Sequence, residues 1–448
     1  MKKNYLSILC MLCFPMFSWA QLQLYAPLAA SKTGAIEATA YNWEAIGINP
    51  ANLGWNNNQT VSFTIADLGF SGQSAGISYA SVYNSLFAPS QDSKANNWEE
   101  ILGANNGLLA YADVNWLAFS FRIPKLGCVG ISLRDKVYGT GFVGPDGSQV
   151  FTNGNNYILD YSDLMTNMQG SYIHYSHYRE LNIDYGMKIL SFGGGDDGAA
   201  NTYSFDADDK TINGLYVGAG YSFLGGLADI NGVVTNNGMT ATYTLENNYP
   251  QTFPIFPNNG KGSSVEFGAS ASYNRWKFGM SVTNLGSITW TNVQKSTVYT
   301  PSGIVGNITD IGGFIGSMQD GSMAGKTEPA PDYTTTLPEK LRLGASYKLN
   351  SHFLFSSDFV MRLNNVPGNL IGPYYAIGAQ ISTLKFLTVC TGLATTEGYG
   401  ISMPLGLDCA FFKHHWEVYL GTVDLFGSLQ LFNDDNLSAV FGMLKFNF

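Results

Sequence analysis

In residues 275–283, Trp276, Phe278 and Met280 alternate with Arg275, Lys277, Gly279, Ser281 and Thr283, so large apolar side chains fall on every second position. A period of two puts the two chemistries on opposite sides of a β-sheet, whereas the apolar stripe of a helix needs a period near 3.6. The pattern recurs. Leu341, Leu343, Ala345, Tyr347 and Leu349 alternate with Arg342, Gly344, Ser346 and Lys348, and Leu117, Phe119, Phe121 and Ile123 with Ser120 and Arg122. Ile183, Tyr185, Met187 and Ile189 oppose Asp184 and Lys188, and Phe353, Phe355, Phe359 and Met361 oppose Asp358 and Arg362. A soluble β-sandwich alternates too. These runs reach about 9 to 12 residues, which matches a tilted membrane strand better than the ~5 to 6 usual in soluble sheets.

Composition decides between the two. Only 12% of residues are charged, about half the roughly 25% of soluble proteins, while 14% are aromatic. Beyond the first 20 residues no run of about 18 apolar residues could span a membrane as a helix. A barrel needs apolar side chains only on its lipid face, so the expected fold is all-β: a transmembrane antiparallel β-barrel of about 14–16 strands. Short links at 124–127, 180–182, 274, 350–351 and 383–385 alternate with long polar ones near 85–111, 139–169, 193–211, 287–338, 363–374 and 424–435. That asymmetry puts turns on one rim and loops on the other. Strands are hardest to place in 212–262, where Gly and Asn obscure the alternation.

Both ends carry signals. Lys2 and Lys3, the apolar stretch 5–17 and Ser18-Trp19-Ala20 form a secretory signal over 1–20, with the mature chain expected to start at Gln21. Cys10 and Cys13 each follow Leu, which does not fit a lipid-anchored signal. At the other end Val440, Gly442, Leu444, Phe446 and Phe448 share one face of a last strand. Leu444, Phe446 and the terminal Phe448 resemble the C-terminal signal by which barrel-insertion machinery recognises its clients. Between signal and barrel, 21–58 is rich in small and apolar residues, with turn chemistry at Asn49-Pro50-Ala51-Asn52. Pro50 fixes its own φ and biases Asn49 toward an extended conformation, giving a bend before the first strand near Thr60. About 14 strands enclose a lumen too wide for their own side chains, so 21–58 is expected to plug it and 59–448 to form the barrel.

Three stretches resemble a known family. "EAIGINPANLGW" (44–55) is similar to the Asn-Pro-Ala element after the N-terminal hatch of FadL-type fatty-acid transport barrels, whose relatives include the PorV component of the type nine secretion system. "TNLGSITW" (283–290) and "TLPEKLRLGASYKL" (336–349) resemble signatures of an uncharacterised Bacteroidota family of such barrels. The resemblance implies a hatch over 21–58 bearing Asn49, Pro50 and Ala51, a barrel of about 14 strands and an outer-membrane location.

No enzyme signature is found, and no cofactor is implied. His174 and His177 fall on opposite faces of one strand, and adjacent His414 and His415 diverge, so neither pair can share a metal. A rim Ser-His pair is invisible in sequence, but no nucleophile motif supports one. Asp196, Asp197, Asp206, Asp208 and Asp209 have the chemistry for Ca²⁺ but read more simply as a solvated loop. Gly193-Gly194-Gly195 lacks the Gly-Lys-Ser/Thr of a phosphate loop. Cys128, Cys390 and Cys409 form no disulfide framework, although one pair stays open. The formal charge of −10 becomes two units more negative without Lys2 and Lys3, which argues against nucleic acid or an anionic lipid surface as the main partner.

Trp116, Trp276, Trp290 and Trp416, with Tyr175, Tyr178 and Tyr347, are assigned to aromatic girdles at the headgroups. The apolar run 311–318 could close over the mouth, reach lipid, contact a partner or simply pack on itself, and 327–336 reads as an extended connector. Outer-membrane lipid is then the principal partner. Two functions remain: a passive channel for a small hydrophobic molecule, or a non-conducting scaffold or shuttle bound to secretion-machine or assembly subunits.

Overall fold

The computed structural model describes residues 33–55, 60–73, 108–142, 169–192, 213–235, 238–246, 249, 254, 257–298, 325–370, 372–384, 386–396, 401–411, 415–428 and 436–447. The signal over 1–20, the acidic loop, the apolar run 311–318, His414 and Phe448 lie outside them.

In chain order the strands are β1 (Val61–Gln73), β2 (Leu108–Ile123), β3 (Gly127–Phe142), β4 (Tyr172–Ser191), β5 (Gly214–Thr235), β6 (Gly238–Leu245) and β7 (Gly260–Tyr273). Then come β8 (Trp276–Trp290), β9 (Gln294–Val298), β10 (Gly325–Pro329), β11 (Tyr333–Thr336), β12 (Lys340–Lys348), β13 (Phe353–Arg362) and β14 (Tyr374–Leu384). The last are β15 (Leu387–Thr396), β16 (Ile401–Ser402), β17 (Leu405–Phe411), β18 (Trp416–Thr422) and β19 (Asn436–Asn447).

All pairings are antiparallel, and the ring closes because β1 pairs with β2 on one side and β19 on the other, with Ile65 opposite both Leu117 and Leu444. β11 and β12 follow each other along β8, as do β16 and β17 along β15. Each pair is one wall strand interrupted, at Pro338 and Pro404, where the missing N–H cannot join a ladder. Counting them so, the described residues form a closed barrel of 14 strands. The end of β5 continues past the ring and pairs with β6, which pairs with β9, which pairs with β10, extending the sheet beyond one rim.

The alternation sorts the two sides as the sequence implies. Trp276, Phe278 and Met280 are 44%, 47% and 50% exposed on the outer face, and Leu117, Ile183, Leu343 and Phe355 share it. Their neighbours Ser281, Arg342, Ser120, Asp184 and Asp358 are buried toward the lumen. An exposed apolar band over a polar, hydrogen-bonded interior is the arrangement that lipid, and not water, stabilises.

Four expectations need correction. Residues 180–182 are not a turn but the middle of β4; Glu180 and Asn182 are polar because they face the lumen. The 193–211 connection therefore leaves from the same rim as the short turns 124–126 and 274–275. Trp290 is fully buried on the inner side, since Asn284, at φ 63°, adds a residue to β8 where it meets β7 and reverses the parity beyond it. Tyr178 likewise faces the lumen, so it does not belong to a girdle as Trp116 and Trp276 can. Cys128, Cys390 and Cys409 are free thiols, and Cys409 stands opposite Leu387, out of register with Cys390.

Candidate functional site

Residues 33–55 make two 3₁₀ turns, Asn42–Ala45 and Pro50–Gly54, the second started by Pro50 and ended at Gly54. Asn49 caps the second. Its backbone is extended (φ −146°), as expected before Pro50, and its Oδ1 accepts the N–H of Ala51 at 3.0 Å. The Asn49 amide donates to Glu37 Oε1 at 2.6 Å and to the carbonyls of Ala269 and Met280 at 3.3 and 3.4 Å. The Asn-Pro-Ala element thus ties the turn, the preceding coil and two wall strands together. Pro50 and Ala51 are buried with it.

The wall meets this segment at every side. Asp358 of β13 accepts the N–H groups of Ile36 (2.6 Å) and Glu37 (2.9 Å), and Ser281 of β8 donates to Glu37 Oε2 at 3.0 Å. Asp184 and Glu266 both accept from Gly47 N–H, at 3.3 and 3.2 Å. Ser346 donates to Ala38 O, Tyr374 to Gly34 O and Arg122 to Trp55 O. Trp55 Nε1 donates to Ser270, and Lys277 Nζ lies 3.8 Å over the Trp55 ring. Lys445 of β19 is buried between Glu44 of the segment (2.8 Å) and Glu417 of β18 (2.5 Å). Burial raises the Glu37 carboxyl from 4.5 to about 8, helped by the nearby Asp358 charge and opposed by Arg342, Ser281 and Asn49.

Close approach explains the inward glycines here. A Cβ on Gly186 or Gly218 would lie 2.2 or 2.3 Å from backbone atoms of Pro50, and one on Gly378 2.0 Å from Thr33 Cβ. Gly268 and Gly344 meet Asn49 and Glu37 in the same way. At Gly186 and Gly218 the wall carries no side chain because the backbone of Pro50 occupies that space.

Above the segment the lumen is open. A cavity of about 810 Å³ is bounded below by Gly47 and above by 330–338 and 366–368. Tyr111, Tyr138 and Tyr178 line its wall with Lys136, His174, Asp229, Ile288, Lys340 and Arg342. Tyr333 reaches across to donate to Asp229 Oδ1 at 2.5 Å, and Lys136 is paired with Glu180 at 2.7 Å. The sequence reading missed this lining: its members come from β2, β3, β4, β5, β8, β11 and β12, and no local motif joins them. The inward parity of Tyr138 and Lys136 was the one available clue.

On the outer wall His177 Nδ1 lies 3.1 Å from the Tyr249 hydroxyl, beside the bidentate Arg179–Asp135 pair at 2.7 Å. His174 faces the opposite side, as its spacing from His177 requires. Among the described residues no group of three or more His, Cys, Asp or Glu could hold a metal. At the C-terminus Phe446 stacks on Phe63 of β1 with centroids 4.9 Å apart, and the backbone of Leu444 pairs with Ile65.

Among solved structures, a TodX monoaromatic hydrocarbon channel mutant matches with a TM-score of 0.53 and 10% identity, covering 96% of this chain and 100% of that one. That likeness shows a shared fold. The Ralstonia pickettii toluene transporter TbuX aligns over 96% of this chain and 99% of its own at TM-score 0.47 and 13% identity. A Pseudomonas aeruginosa FadL homologue does so over 96% and 97%, at 0.45 and 10%. No curated protein matches the sequence. Residues 50–412, well over half of the chain, match one family along the barrel just described, and the protein belongs to it: the Family of unknown function (DUF5723).

Proposed function

We propose that the protein is an outer-membrane channel for small hydrophobic molecules, with 33–55 as its gate. The observation that carries this reading is the cavity of about 810 Å³ inside the barrel, floored by Gly47 of that segment and roofed by 330–338. Its size is in the range of small-molecule sites, and its wall combines apolar surface with a few placed polar groups. The fold it shares with TodX, named as a monoaromatic hydrocarbon channel, supports the same class of passenger. The gate acts by population shift: a ligand that binds better when the segment is displaced draws the barrel toward its open form. The scaffold alternative rests on long loops outside the described residues, and no observation here favours it.

The test is flux of butylbenzene into lipid vesicles that hold cyclodextrin as a sink, with the full mature chain reconstituted. Flux above that of protein-free vesicles, increased by deleting 33–55, is the expected result. Rates equal to bare vesicles for both chains would remove the reading.

A further inference from the structure

We infer that the upper cavity takes a neutral ring compound bearing a hydroxyl group, the phenol class, held between an aromatic strip and the Asp229 carboxylate. This deepens the channel reading and rests on it. The strip runs across three adjacent strands: Tyr111 and Tyr138 have ring centroids 5.3 Å apart, and His174 stands edge-on to Tyr138 at 5.3 Å. Such a surface offers stacking and edge contacts to a planar ring.

Asp229 supplies the specificity. It lines the cavity yet is only 2% exposed, and its two oxygens differ. Oδ1 accepts the Tyr333 hydroxyl, whereas Oδ2 accepts no hydrogen bond among the described residues. His174 Nε2, at 4.0 Å, is beyond hydrogen-bond reach of Oδ2. A buried acceptor without a donor is costly, and a plain hydrocarbon leaves it so. A donor on the passenger satisfies it.

The charges around it restrict the donor. Lys136, Lys295, Lys340 and Arg342 line the same cavity against Asp113, Asp229 and Asp332; the excess of cations disfavours an ammonium, and Asp229 itself disfavours a carboxylate beside it. A neutral hydroxyl suits both. Ile288 and Leu337, buried in one cluster at the wall, favour an apolar body over a sugar.

The experiment compares 4-butylphenol, butylbenzene and glucose as ligands of the full mature chain in detergent, by titration calorimetry. The phenol should bind about tenfold tighter than butylbenzene, the ratio of one hydrogen bond to a charged acceptor. Asp229→Asn should shrink that ratio several-fold, while Tyr138→Leu should weaken both aromatic ligands and leave the ratio unchanged. Tyr333→Phe, which frees Oδ1 without touching Oδ2, should keep or raise the preference and serves if Asp229→Asn fails to fold. Equal binding of phenol and butylbenzene, an undiminished ratio in Asp229→Asn, a lost preference in Tyr333→Phe, or tighter binding of glucose would each overturn the hydroxyl assignment. Butylbenzene flux in vesicles tells the two readings apart: if it persists while the preference is absent, only the assignment fails.

Discussion

The lower and upper halves of the lumen are built by the same strands to opposite ends. Below, the inward positions of β4, β5 and β7 are Gly186, Gly218 and Gly268, and the space they leave is taken by the backbone of Pro50 and its neighbours. Above, inward positions carry Tyr111, Tyr138, Tyr178 and Asp229, and the space stays open. The lumen is therefore not a uniform tube with a peptide lodged in it. Where the wall omits its side chains, another piece of chain supplies the packing, and polar wall side chains such as Asp358 and Ser281 hold that piece in place.

The polar contacts follow the same division. Lys445 is buried between Glu44 and Glu417 on the closed side. Lys445→Met leaves two carboxylates without their cation, and the expected loss is about 3–5 kcal/mol. Heated and unheated migration on a gel, followed against temperature, measures it; an unchanged transition would mean that this anchor contributes nothing.

Glu37 sharpens the contrast through pH. Its carboxyl is raised from 4.5 to about 8, so between those values the docked segment binds more protons than a released one. Its contribution to docking is therefore fully present below about 4.5 and lost as pH rises through about 8, on the order of a few kcal/mol in total. Protease cleavage within 33–55 should increase from pH 5 to pH 9, and Glu37→Gln should flatten that profile. A profile just as steep in the variant would assign the effect to another group.

Gly218→Ala tests the packing. Its Cβ would meet the Pro50 backbone at 2.3 Å, and the clash is expected to cost roughly 1–3 kcal/mol and raise vesicle flux. Gly139→Ala, with nothing nearer than 3.7 Å, should change neither. The smallest effect belongs to Lys326→Ala on β10. Its pair with Glu328 is 2.7 Å long but exposed, and its removal should leave the thermal transition unchanged.

How much was legible depends on the range of the interaction. Trp276, Phe278 and Met280 could be assigned to one face because the strand backbone alone sets which side each residue takes. The same rule failed for Trp290, since Asn284 inserts a residue whose effect is felt only through pairing with β7. Polarity misled at Glu180 and Asn182, where it marks the lumen and not a turn. Asn49 and Pro50 were legible as a bend; their joining of Glu37 to β7 and β8 was not. Nothing local distinguishes Gly186, pressed on Pro50, from a glycine in open space.

By itself, then, the sequence determined an all-β chain with one apolar and one polar side, because alternation and charge content act within a strand. The closure of the ring by 14 strands, the inward positions that meet the segment 33–55, and the placing of Asp229 opposite Tyr333 across a cavity all came from long-range packing. Those outcomes depend on register and bulges between strands distant in the chain, and such pairings are set by the packed whole.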